Sequence, residues 1–119
     1  MKIKSNDPPR VFNAGKNKNK EVYISDMGDI HLNPNEQLTF VTDSGNRHDF
    51  CRKNWGFYAT PSMNSRLKNE NFITAMVINK EGFNYIMVVE KSKIKEFQLY
   101  LKDENLTVVA WFTDPLEKA

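Results

Sequence analysis

Phe72-Ile73-Thr74-Ala75-Met76-Val77-Ile78-Asn79, then Lys80-Glu81-Gly82, then Phe83-Asn84-Tyr85-Ile86-Met87-Val88-Val89-Glu90, is the stretch that decides the fold. In the first run Phe72, Met76 and Ile78 fall on one alternating set, and Ile73, Ala75 and Val77 on the other. A strand with one wet face alternates apolar and polar; a strand apolar on both faces is covered on both sides. The second run reads the same way, and Lys80-Glu81-Gly82 between them is a turn. The two runs are expected to pair as an antiparallel hairpin at the middle of a sheet.

Toward the C-terminus, Ser92 is expected to cap a helix from Lys93 to about Glu104, with Ile94, Phe97, Tyr100 and Leu101 on its core face at helical spacing. Asn105 ends it, Leu106 to Phe112 is a last strand, Asp114-Pro115 closes the domain, and 116–119 is a frayed tail.

Toward the N-terminus, Thr60-Pro61 is a helix-start signal: Thr60 as N-cap, Pro61 in the first turn where its missing N–H costs nothing. The helix is expected to run from Pro61 to about Asn69 and to bury Met63 and Leu67. Before it, Gln37 to Thr42 and Arg47 to Lys53 form a hairpin around the turn Asp43-Ser44-Gly45-Asn46. From Arg47 the order is therefore strand, helix, strand, strand, helix, strand. This is the split βαβ, ferredoxin-like order, preceded by one or two extra strands. The fold class is α+β, a mainly antiparallel sheet with two helices. Apolar alternation breaks at Arg52-Lys53-Asn54, so the strand over 47–58 either joins the main sheet or belongs to a separate N-terminal sheet. Glu21 to Ser25 is a short strand, and Asp26 to Glu36 a loop anchored by Ile30 and Leu32. Residues 1–20, with Asp7-Pro8-Pro9 and the run Lys16-Asn17-Lys18-Asn19-Lys20, form a flexible basic arm that cannot offset its own ordering entropy. Residues 21–115 make a single domain.

The 119 residues carry a formal net charge of +2, too small to argue by itself for nucleic acid or a membrane surface. Cys51 is the only cysteine, which precludes an internal disulfide and points to a reducing, cytoplasmic setting. No apolar run approaches the ~20 residues of a membrane span, and the N-terminus lacks the apolar core of a signal peptide. His31, His48 and Cys51 show no metal-ligand spacing, so neither metal nor cofactor is expected.

The densest grouping of aromatic, polar and cationic residues is Trp55-Gly56-Phe57-Tyr58-Ala59-Thr60-Pro61-Ser62-Met63-Asn64-Ser65-Arg66-Leu67. A helix N-terminus favours an anion through its unpaired N–H groups and its dipole. Arg52, Lys53 and Arg66 add charge; His48, Tyr58, Thr60, Ser62 and Asn64 add hydrogen bonds. These eight residues are the expected ligand-binding set. A rival reading is a small enzyme using His48 with Asp49 or Cys51; the odd spacing of His48 and Cys51 puts them on opposite faces of a flat strand. A third is a binder of single-stranded nucleic acid through strand aromatics, but Phe83-Asn84-Tyr85-Ile86-Met87-Val88 lacks the Lys/Arg-Gly-aromatic signature of RNA-recognition domains.

The same stretch, with Asn33-Pro34-Asn35-Glu36 before it and Val88-Val89-Glu90-Lys91 after it, resembles a pattern in small bacterial proteins of uncharacterised function linked to surface-polysaccharide gene clusters. The resemblance implies no established activity and no catalytic residue. It implies an accessory role toward a sugar, a nucleotide-sugar or an enzyme of such a pathway. The expectation is thus a non-catalytic cytosolic domain that binds a small anionic ligand (a nucleotide or sugar-nucleotide) or a protein partner.

Overall fold

The computed structural model describes residues 1–15 and 21–113. In chain order the elements are β1 (Lys2–Asn13), β2 (Tyr23–His31), β3 (Gln37–Val41), β4 (Arg47–Lys53), β5 (Gly56–Tyr58), α1 (Arg66–Asn69), β6 (Phe72–Ile78), β7 (Asn84–Glu90), α2 (Ile94–Asp103) and β8 (Thr107–Trp111). The fold is α+β, with antiparallel sheets and two α-helices among the described residues. No helix among them is long and apolar enough to cross a membrane. Chain contacts define two compact units, where the sequence suggests one domain over 21–115. One unit comprises Met1–Gln37 with Cys51–Tyr58, the other Leu38–Phe50 with the residues from Ala59 on.

In the second unit β6 is the central strand of a three-stranded sheet ordered β7-β6-β8. β6 and β7 form the expected hairpin, with seven consecutive antiparallel pairs from Phe72↔Glu90 to Ile78↔Asn84. The set Ile73, Ala75, Val77 and Val89 packs with Phe97 of α2, flanked by Met87, Ile94, Leu101, Leu106, Val108 and Trp111. Helical spacing in α2 therefore buries Phe97 and packs the partly buried Ile94 and Leu101 against the core as expected, whereas Tyr100 is exposed. On the other face of β6, Phe72 meets the His48 ring edge-on at 6.3 Å.

Both helices begin later than the sequence signals. α1 is a single turn whose N-cap is Ser65, not Thr60, with no side-chain cap bond. The cause is local: the Ser62 carbonyl accepts from the N–H groups of Ser65 and Leu67, and Ser62 Oγ accepts from the Arg66 N–H at 2.9 Å. Pro61 to Ser65 thus form a turn that takes up the donors a longer helix would have used. α2 is entered through a 3₁₀ turn over Lys91–Lys93, so Ser92 lies inside that turn instead of capping the helix.

The strand over 47–58 does not join β6. β4 and β5 form a separate three-stranded sheet with β3, in the order β3-β4-β5, so the ferredoxin-like arrangement is not the one observed. The interruption at Arg52-Lys53-Asn54 marks where the chain turns back on itself: Lys53 pairs with Gly56 and Cys51 with Tyr58.

The largest difference lies in the first unit. Lys2–Asn13 is a strand where a flexible arm is expected, and Tyr23–His31 is a strand where most of a loop is expected. The two pair antiparallel as a two-stranded ribbon, with an irregularity on β1 between Ser5 and Arg10. Gly28, a loop signal in the sequence, serves a different purpose. Its φ is +133°, and a Cβ there would lie 2.2 Å from the Lys4 carbonyl oxygen. The glycine allows close backbone approach within the ribbon. The run Lys16 to Lys20 and the tail 116–119 lie outside the described residues.

Candidate functional site

The eight expected ligand-binding residues divide between the two units. Arg52, Lys53 and Tyr58 belong to the first; His48, Thr60, Ser62, Asn64 and Arg66 belong to the second.

In the second unit the best-defined polar constellation is built around Asp49 on β4. Its Oδ1 accepts from Thr39 Oγ1 on β3 at 2.8 Å, and its Oδ2 accepts from Arg66 Nε on α1 at 2.9 Å. Arg66 also lies 3.5 Å from Glu70 Oε2, one helical turn on, while Glu70 Oε1 accepts from the Arg47 backbone N–H. The Arg66 guanidinium, and next the Thr39 hydroxyl, hold the Asp49 carboxyl below its ordinary range; the same ion pair raises the pKa of Arg66. The network ties the β3–β4 hairpin to α1. Arg66, the expected ligand cation, is thereby engaged by two carboxylates of its own unit.

A second knot lies at the hairpin turn. Glu90, at the end of β7, accepts from Thr42 Oγ1 at 2.5 Å and Asn46 Nδ2 at 2.7 Å, and these bonds, the Thr42 hydroxyl first, keep its pKa low. Beside it is an open depression of about 470 Å³ lined by Ser44, Asn46, Asn71, Lys91 and Ser92, none of them in the expected set.

In the first unit the cations are also engaged. Arg52 Nη1 donates to the Lys53 carbonyl, and Lys53 Nζ donates to Asn35 Oδ1 at 3.0 Å. The Asn35 N–H bonds the Arg52 carbonyl and the Arg52 N–H bonds the Glu36 carbonyl, which seats the 33–36 turn on β4. Trp55 is 72% exposed, and Phe57 and Tyr58 are exposed beside it.

The rival enzyme set is not gathered by hydrogen bonds. The His48 ring packs on Phe72, Asp49 is paired to Arg66, and Cys51 Sγ is 3.6 Å from the Arg52 carbonyl. Among the described residues no group of three or more His, Cys, Asp or Glu side chains is arranged to hold a metal ion.

The surface that sequence reasoning missed is the β1–β2 ribbon. Ile3 sits opposite Ile30, and Phe12 opposite Ile24. Residues directly opposite share a face, as do residues two apart along a strand. Phe12 and Ile24 therefore share a face at one end of the ribbon, and Ile3 and Ile30 share a face at the other, beyond the irregularity of β1 and the positive φ of Gly28. Arg10 lies between them, bonded to Asp26 at 3.0 Å with its guanidinium 4.8 Å from the Phe12 ring centroid. All four apolar side chains are exposed, Ile3 to 63%. No described residue of this unit is buried; every core residue belongs to the second. The signal lay in Ile3, Val11-Phe12, Met27 and Ile30, apolar positions separated by Pro, Asp and Gly and so read as arm and loop, while Ile24 was placed in a short strand.

No family model matches the chain, and comparisons with curated proteins and with solved structures return no match.

Proposed function

We propose that this chain is a non-catalytic binding or accessory domain whose main ligand is a protein partner, docked on the exposed apolar residues of the β1–β2 ribbon. One observation carries the reading: a strand of 12 residues and one of 9 pair into a ribbon that leaves the cross-strand pairs Ile3–Ile30 and Phe12–Ile24 exposed, in a unit with no buried described residue. A two-stranded ribbon is marginal in water by itself, and exposed apolar patches of this kind mark interaction sites. The Arg10–Asp26 pair beside Phe12 supplies orientation more than affinity.

A small anionic ligand on Arg52, Lys53, Tyr58, Thr60, Ser62, Asn64, Arg66 and His48 has weaker support, since Arg52, Lys53 and Arg66 each hold bonds that an anion would have to displace. Catalysis by His48 with Asp49 or Cys51 has weaker support still, because each already has a different neighbour. The single cysteine fits a cytosolic setting.

The test is capture from cells that express the chain natively, comparing wild type with the double variant Ile24→Lys, Ile30→Lys. Both positions are exposed, and an unchanged circular dichroism spectrum of the variant is to show that the ribbon is kept. A stoichiometric partner retained by wild type and lost by the variant supports the reading. An unchanged set of captured proteins contradicts it.

A further inference from the structure

The free edge of β7 offers a second association surface, in the other unit. Sheet edges present unpaired backbone groups, and proteins blunt them with proline, lysine or bulges. β1 carries three such devices: Pro8 and Pro9, the irregularity between Ser5 and Arg10, and Lys2 and Lys4. β8, at one edge of the β7-β6-β8 sheet, has a register shift against Met76 and Val77. β7, at the other edge, has none of them. Its seven pairs with β6 are unbroken, and it contains no proline, lysine or arginine. Its outer edge has no strand partner among the described residues. Its one charged residue, Glu90, is held by Thr42 and Asn46 at the far end.

We infer that β7 pairs antiparallel with β7 of a second copy of this chain, with the twofold axis beside Ile86. The side chains choose the occupant. Ile86 is 61% exposed, and Phe83 and Tyr85 near it are exposed as well, while Val89 toward the other end is buried. Antiparallel self-pairing about Ile86 sets it against its own copy and Tyr85 against the copy's Met87, with Asn84 against the copy's Val88. Apolar groups then meet on both faces and no charge meets a like charge, as cross-strand pairing requires. A twofold contact uses the same edge from both copies and so closes, leaving a six-stranded sheet whose outer strands are the two irregular β8 edges. A foreign strand would leave that self-matching unused.

Light scattering with Ile86→Lys tests the pairing. Wild type is expected to be dimeric, and Ile86→Lys monomeric with an unchanged circular dichroism spectrum. Should the lysine variant fail to fold, a Cys51→Ser background carrying Ile86→Cys gives a second route. Mild oxidation should then link two copies at Ile86→Cys far faster than at Val109→Cys on β8. A monomeric wild type, a dimer that survives Ile86→Lys, or equal cross-linking at the two cysteines would overturn the inference.

Discussion

Asp49 and Arg66 show how one residue pair sets the use of its neighbourhood. The carboxyl's folded-state pKa lies below its unfolded value, through the Arg66 bond first and the Thr39 bond second. Such a group stabilises the fold above its unfolded pKa, and the contribution is lost as pH falls through the folded one. Arg66→Ala should therefore lower the melting temperature at neutral pH. The gap to wild type should close in acid, below the ordinary Asp value of about 3.9. The effect should be modest, since the Arg66 side chain is 41% exposed and screened by water. A difference independent of pH would show that Arg66 acts through packing instead. Leu67, the next residue, is fully buried. Leu67→Ala should cost about 2–5 kcal/mol in denaturant unfolding, the range for emptying a packed site. Thr74 runs the other way: its Oγ1 is buried without a hydrogen-bond partner among the described residues. Thr74→Val keeps the shape and removes that hydroxyl, and should leave stability equal or raise it by about 1 kcal/mol.

At the scale of elements, what was legible in the sequence was what neighbouring residues decide together. β6, β7 and α2 announce themselves by period, two-sided for the strands and helical for Ile94, Phe97 and Leu101. The β1–β2 ribbon does not, because its pairing joins residues such as Ile3 and Ile30, far apart in the chain, across stretches whose Pro, Asp and Gly content reads as loop. The candidate site failed to be legible for a related reason. Arg66 was visible as a cation, but Asp49, its partner 17 residues earlier, was visible only as a companion of His48. Thr60-Pro61 gave a sound start signal that the Ser62 turn overrode. Gly28 offers the sharpest test of the ribbon. Gly28→Ala would push a methyl group against the Lys4 carbonyl at a φ that alanine rarely adopts. Amide exchange across β1 and β2 should then accelerate sharply, while the amides of β6, held by the core of their own unit, keep their protection. Unchanged exchange in the ribbon would mean that β1 and β2 are not packed as described.

At the scale of the whole molecule, buried residues and exposed strands are unevenly shared. One unit holds every core residue; the other presents the ribbon, Trp55, Phe57 and Tyr58 to solvent. A chain of this length is long enough to build a core, and the second unit holds one. The ribbon has no comparable support of its own, which is the physical basis for assigning it to a partner. Hydrogen–deuterium exchange, on the purified chain and on the same chain with its captured partner, tests that assignment most directly. The account predicts slowed exchange on binding in Lys2–Asn13 and Tyr23–His31, with little change in Phe72–Ile78. Slowing confined to other segments, with the ribbon unaffected, would contradict it.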